Sequence, residues 1–237
     1  MATKTNHLPM LFVALFLTIS SVSAVYNKVT LSQSDGAACL DGSPPVLFID
    51  DGVGANADKF LVFINGGGTC VSSTVSASLA SCKTRSTSEL GSSTSYGATL
   101  DVDDAGYLST LQAVNPNFYD WTKVLVQYCD GFFSISDKVD PIEVDGTELY
   151  FRGMDNMKES FKYLEDNYDF YNKDTIVLTG GSAGAMTTVY WIEYLADKVV
   201  SSQLYAIPDS GFYPMNYRVP TFLNMNIVEL AMNAFAD

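Results

Sequence analysis

Five short apolar runs punctuate the chain: "PPVLFID" (44–50), "FLVFI" (60–64), "KVLVQYC" (123–129), "TIVLT" (175–179) and "LYAI" (204–207). Most are apolar at successive rather than alternate positions, which predicts strands covered on both faces. Between the third and fourth runs, "MDNMKESFKYLEDNY" sets Met154, Met157, Phe161 and Leu164 at helical spacing, one apolar stripe. After Ser182 the pattern changes. Met186, Val189, Tyr190, Trp191, Ile192 and Leu195 make that segment apolar nearly all round, as expected of a helix packed centrally on a sheet. Strand, helix and strand in succession predict parallel βαβ units, so the fold class is α/β, a mostly parallel sheet flanked by helices. The stretch 71–100 is rich in serine, threonine and glycine and reads as a long, partly irregular surface excursion pinned by Cys82.

The N-terminus adds a compartment. Lys4 precedes the apolar run "LPMLFVALFLTI", and Val22-Ser23-Ala24 supplies small residues for cleavage, so residues 1–24 read as a signal peptide. The mature chain then starts at Val25, runs from 25 to 237 and is secreted or held in a secretory-pathway compartment. No other segment is apolar for long enough to span a bilayer, so no membrane association is expected after cleavage. Cys39, Cys70, Cys82 and Cys129 all lie in the mature part. An even count in an oxidising compartment predicts two disulfides with three possible connectivities. The favoured one pairs Cys70 with Cys82 across a short loop and leaves Cys39 with Cys129. The spacing contains no C-x-x-C pair and no accompanying histidine, so no metal and no cofactor is expected. The mature region also has no N-x-[ST] acceptor, so N-glycosylation is not expected.

Charge excludes one partner class. Removing Lys4 from 13 basic residues leaves 12 against 27 acidic ones, a net charge of −15. A nucleic acid would be repelled, and no basic patch with interleaved aromatics opposes that repulsion.

The candidate chemistry sits in two glycine-rich turns. In "TIVLTGGSAGAMTTVY" (175–190) an apolar strand turns through Gly180-Gly181-Ser182-Ala183-Gly184 into a helix. Glycine two positions before and after Ser182 permits a tight turn that lifts the serine oxygen clear of the sheet. Ser182 is therefore the candidate nucleophile. It stands at a helix N-terminus, where the N–H of Ala183 can donate to a developing oxyanion. In "FLVFINGGGTC" a strand ends at Ile64 and Asn65-Gly66-Gly67-Gly68 opens a loop, a suitable source of further oxyanion donors. A phosphate-binding loop would need the lysine of G-x-x-x-x-G-K-[ST], which is missing. "DVDDAG" (101–106) begins like a calcium loop, but Ala105 and Gln112 stand where ligands belong. "GVGANA" (52–57) lacks the third glycine of a dinucleotide fingerprint.

Together with "CLDGSPP" (39–45), "LGSS" (90–93), "NPNFYDWTKVLVQYCDG" (115–131), "FRG" (151–153) and "DSGFY" (209–213), these turns resemble the pectin acetylesterases. That family also holds the Notum-type carboxylesterases. The resemblance runs from Cys39 to Tyr213 and implies an α/β-hydrolase-like fold. It implies a serine esterase that removes small acyl groups from carbohydrate, or a fatty acyl group from a protein. It makes Ser182 the nucleophile, with backbone donors from Gly67, Gly68 and Ala183, and supports the favoured disulfide pairing. The chain departs from the family pattern at Thr69, where the family usually has tryptophan, and at Ala185, where it usually has glycine. The size of the acyl pocket is therefore not carried over. Pectin is a polyanion, and a net charge of −15 opposes its approach at low ionic strength.

A base is the open question. In this fold class the order along the chain is serine, then acid, then histidine. The one histidine, His7, lies in the signal segment. Asp209 follows a strand and could orient a base, but the resemblance gives "DSGFY" no triad role. The expectation is a chain truncated at its C-terminal end, with the fold incomplete there. The alternative is a non-catalytic secreted relative that binds an ester or glycan.

Overall fold

The computed structural model describes residues 25–102 and 106–211. Residues 1–24, read above as a signal peptide and containing His7, residues 103–105 and residues 212–237 lie outside the described residues. A seven-stranded mixed sheet organises the rest. Its strands are β1 (Val25–Thr30), β2 (Val46–Asp50), β3 (Lys59–Ile64), β4 (Thr99–Asp101), β5 (Thr122–Val126), β8 (Thr175–Gly181) and β9 (Gln203–Asp209). Strands β6 (Ile142–Val144) and β7 (Thr147–Leu149) form a separate hairpin.

The spatial order β4-β1-β2-β5-β3-β8-β9 divides the sheet in two. From β5 through β3 and β8 to β9 the pairs are parallel; from β5 through β2 and β1 to β4 they are antiparallel. The five predicted strands are β2, β3, β5, β8 and β9, each within a few residues of its apolar run. Four of them are buried along nearly their whole length, as continuous apolar runs require. β9 is the exception, with most of its residues exposed. β1, β4 and the hairpin carry mixed sequences that periodicity does not mark.

Three helices are α1 (Val75–Arg85), α2 (Gly153–Tyr168) and α3 (Ala183–Ala196). In α2, Met157, Phe161 and Leu164 are buried as the stripe predicts. Its end is set by Asp169, which takes the left-handed conformation (φ 54°) and donates its N–H to the Glu165 carbonyl. In α3 the buried positions are Ala183, Gly184, Ala185, Thr187, Thr188, Trp191 and Leu195. Val189 and Tyr190, expected to be covered, are about half exposed because they lie on the opposite side of the helix from this stripe. The largest apolar cluster fills the space between the sheet and α2 and α3, with Val62, Ile64, Ile176 and Leu178 meeting Phe161, Phe170 and Trp191.

The stretch 71–100 is more ordered than its composition predicts. It contains α1, capped by Thr74, whose side-chain oxygen accepts the Ala77 N–H at 3.1 Å. The helix has little apolar surface of its own. Cys82 fastens it instead, bonded to Cys70, while Cys39 bonds Cys129; the favoured pairing is the one present. Around these bridges a second cluster gathers Leu40, Tyr128, Phe132, Phe133, Leu149, Phe151 and Ala183 beyond the carboxyl ends of the central strands. No helix among the described residues is long and apolar enough to cross a membrane.

Candidate active site

The carboxyl ends of β3 and β8 are adjacent, paired in parallel with Ile64 opposite Gly180. Each strand therefore delivers its glycine-rich turn to the same edge. The turn after β8 is the sharper. Ser182 has φ 53° and ψ −114°, a conformation strained for a residue with a Cβ, at a cost of roughly 1–3 kcal/mol. A serine at a helix start ordinarily caps a free N–H with its oxygen. Ser182 makes no such bond, and its side chain is exposed. The backbone holds it there: the Ser182 N–H donates to the Asp209 carbonyl at 3.0 Å, and its own carbonyl accepts from Ala185 at 3.1 Å.

Close approach explains the glycines. A Cβ on Gly184 would collide with the Ile64 carbonyl oxygen, and one on Gly180 would lie 2.6 Å from the Gly184 carbonyl carbon. The elbow thus folds back directly on the end of β3, with no room for side chains between them. Gly66 belongs to the same contact, since a Cβ there would strike the Gly181 carbonyl and come within 3.3 Å of the Ser182 Cβ. The two turns that the sequence singles out are brought together at Ser182. Ala185, in place of the family's usual glycine, is fully buried and lies against Gly211.

The loop beyond Gly66 has left-handed and extended glycine geometry, with Gly67 at φ 151° and Gly68 at φ 65°. Asn65 starts it: its side-chain oxygen accepts the Gly66 N–H at 3.1 Å and its amide donates to Gln127 at 2.8 Å. Among the described residues no acceptor takes the N–H of Gly67 or Gly68. Ala183 is buried at the first turn of α3, the positive end of that helix. Backbone donors of this kind suit a developing oxyanion.

Beside the elbow lies a cleft of about 440 Å³, walled by Phe63, Tyr107, Phe118, Asn117 and Asp209. Phe63 is the neighbour of Gly181, and Asp209 is the residue whose carbonyl holds the Ser182 N–H. Asp209 is exposed, and its carboxylate accepts the Ser210 hydroxyl at 2.7 Å. Sequence reasoning did not single out Asp130. It is buried beyond the carboxyl end of β5 and accepts from the Ser136 hydroxyl (2.9 Å) and the Ser134 N–H (3.1 Å). Burial pushes its carboxyl up to about 6, against those hydrogen bonds and the Arg85 charge, which pull it down. Among the described residues no group of three or more His, Cys, Asp or Glu side chains is placed to hold a metal ion.

Comparison with known proteins finds relatives across most of the chain. Pectin acetylesterase 5 of Arabidopsis thaliana is 31% identical over 185 residues, covering 78% of this chain and 41% of its own length. Pectin acetylesterase 11 of the same plant is 30% identical over 205 residues, covering 84% of this chain and 49% of its own length. The chain thus spans less than half the length of these curated relatives. The palmitoleoyl-protein carboxylesterase Notum of Schmidtea mediterranea is 27% identical over 164 residues. Among solved structures, the Wnt deacylase Notum from Drosophila superposes with a TM-score of 0.73 at 20% identity. That match covers 89% of this chain and 60% of the other, and shows a shared α/β-hydrolase-like fold. Residues 20–229 match the profile of the Pectinacetylesterase family, and to that family the chain belongs.

Proposed function

We propose that the protein is a secreted carboxylic ester hydrolase acting on acyl esters, chiefly O-acetyl groups of carbohydrate, with Ser182 as nucleophile. The observation that carries the reading is the backbone of Ser182, held at positive φ at the head of α3 with its hydroxyl uncapped. Gly67, Gly68 and Ala183 supply the oxyanion donors in this reading. Attack by the Ser182 oxygen on the ester carbonyl would give a tetrahedral intermediate, then an acyl-serine and a free alcohol. Water would release the acid in a second step. The acid and base of such a triad follow the serine along the chain in this fold class. Acetyl is favoured as the acyl group because the relatives at 30% and 31% identity are named pectin acetylesterases. The aromatic walls of the cleft at Phe63, Tyr107 and Phe118 suit the face of a sugar ring. Two disulfides and the leader-like N-terminus support secretion.

A second reading has its own support. The Notum likeness favours removal of a fatty acyl group from a protein. Comparing rates on acetyl and long-chain esters separates the two. Treating the full-length gene product with a fluorophosphonate probe tests both at once. Ser182 is expected to label, and Ser182→Ala is expected to lose both the label and at least about 10³-fold in ester hydrolysis. A wild-type protein that neither labels nor hydrolyses would be a binding relative instead.

A further inference from the structure

The glycine loop does not hold itself. Arg85, the last residue of α1, donates from Nη2 to the Gly67 carbonyl at 2.5 Å and from Nε to the Leu90 carbonyl at 3.2 Å. Its guanidinium lies 5.3 Å from the ring centroid of Tyr128. The Tyr128 hydroxyl donates to the Gly68 carbonyl at 2.8 Å and accepts the Phe133 N–H at 3.1 Å. Tyr128 is 1% exposed, so its ring is fixed by packing as well as by both bonds. Consecutive carbonyls of the loop are therefore gripped by two side chains that also touch each other.

Peptide planarity turns this grip into a direction. In a trans peptide the C=O and the following N–H point opposite ways. A donor fixed on the Gly67 carbonyl therefore aims the Gly68 N–H. The hydroxyl on the Gly68 carbonyl fixes the next peptide and removes the remaining freedom at Gly68. Glycine is the residue least able to hold a peptide plane unaided, because both signs of φ are open to it. The clamp is anchored in turn. α1 is bonded through Cys82 to Cys70, two residues after Gly68, and the Cys70 N–H donates to the Gly131 carbonyl at 3.0 Å.

We propose that Arg85 and Tyr128 are positioning residues that set the direction of the Gly68 oxyanion donor in the glycine loop without touching substrate. The proposal rests on the esterase reading above. An oxyanion donor acts on the tetrahedral state and hardly at all on the ground-state ester. Loosening the clamp should therefore lower kcat and leave KM nearly alone, whereas a merely structural role would show as lost folding.

The test compares the full-length wild type with Tyr128→Phe, Arg85→Lys and Arg85→Met on 4-nitrophenyl acetate, with Ser182→Ala as the blank. Thermal unfolding and the affinity for an alkyl boronic acid, a tetrahedral mimic, are measured on each. Tyr128→Phe keeps the ring and deletes one bond, and is expected to lower kcat about 10-fold with KM within about twofold. Boronate affinity should fall in parallel. Arg85→Met should lose more, about 10–100-fold, and Arg85→Lys should recover part of it through a single ammonium donor. An active wild type whose folded variants keep kcat and boronate affinity overturns the clamp alone. Losses that track unfolding temperature, or that fall on KM, also overturn it. A wild type no faster than Ser182→Ala overturns the esterase reading and, with it, the clamp's catalytic role.

Discussion

The two ends of the parallel strands are built from different materials. At the amino ends of β3, β5 and β8, where the antiparallel β2 finishes, charged and aromatic side chains close the sheet. Lys123, 1% exposed, pairs with Asp50 at 2.9 Å and donates to the carbonyls of Tyr119 and Trp121. Lys173 pairs with Asp58 at 2.7 Å, Lys59 lies over Trp121, and the Tyr168 hydroxyl donates to Asp51. At their carboxyl ends β3 and β8 meet through bare backbone at Gly66, Gly180 and Gly184. The first arrangement satisfies every group with a partner. The second leaves the Gly67 and Gly68 N–H groups without an acceptor among the described residues and Ser182 exposed, with Arg85 and Tyr128 bonded to the carbonyls of that loop. The same strands thus close one end with paired side chains and the other with backbone packed on backbone.

Adding a single carbon is the strongest way to break the contrast. Gly184→Ala puts a Cβ onto the Ile64 carbonyl, and neither backbone can yield without disturbing Ser182. A loss of about 3 kcal/mol or more is expected, read as a fall of roughly 6–12 °C in unfolding temperature. An unchanged Tm would show that the carboxyl end is not limited by backbone contact.

Asp130 sharpens the contrast through pH. Its carboxyl ionises near pH 6 in the folded chain, above its ordinary value of 3.8. The folded state therefore binds this proton more tightly than the unfolded state. Its contribution is fully present below about pH 4 and is lost as pH rises through about 6, by about 2–3 kcal/mol in total. Asp130→Asn should remove that part of the slope. Denaturant titrations of both proteins at pH 4, 5, 6 and 7 measure the difference, and parallel curves would contradict it.

Lys123→Met gives the smallest of these effects. The methionine keeps most of the stem's volume, while Asp50, 22% exposed, loses its cation but retains water. A loss of about 1–2 kcal/mol is expected by denaturant unfolding. A loss as large as that of Gly184→Ala would mean that both ends are equally intolerant.

The meeting of the two turns at the candidate site was half legible in the primary structure, because the glycines mark where backbone packs without room for a Cβ. Ser182, Gly67, Gly68 and Ala183 could be singled out, and the turns at Gly66 and Gly181 do meet. The supports behind them were not legible. Arg85 ends a helix whose serine-rich sequence carries no clear apolar stripe, and Tyr128 sits in an apolar run that reads as core. Lys123 was equally hidden, since a lysine within a strand pattern gives no sign that it is buried.

The sequence by itself determined the apolar strands, the stripe of α2, the cysteine count and the two glycine turns. Each follows from local periodicity or from a residue's own conformational limits. Only the tertiary structure decided that half the sheet is antiparallel, since β1 and β4 take their partners from distant segments. It alone decided which carbonyls Arg85 and Tyr128 hold, because those bonds span 18 and 60 residues of chain. It decided too that Asp130 is buried, since desolvation is a property of everything packed around a carboxylate and not of its neighbours in the chain.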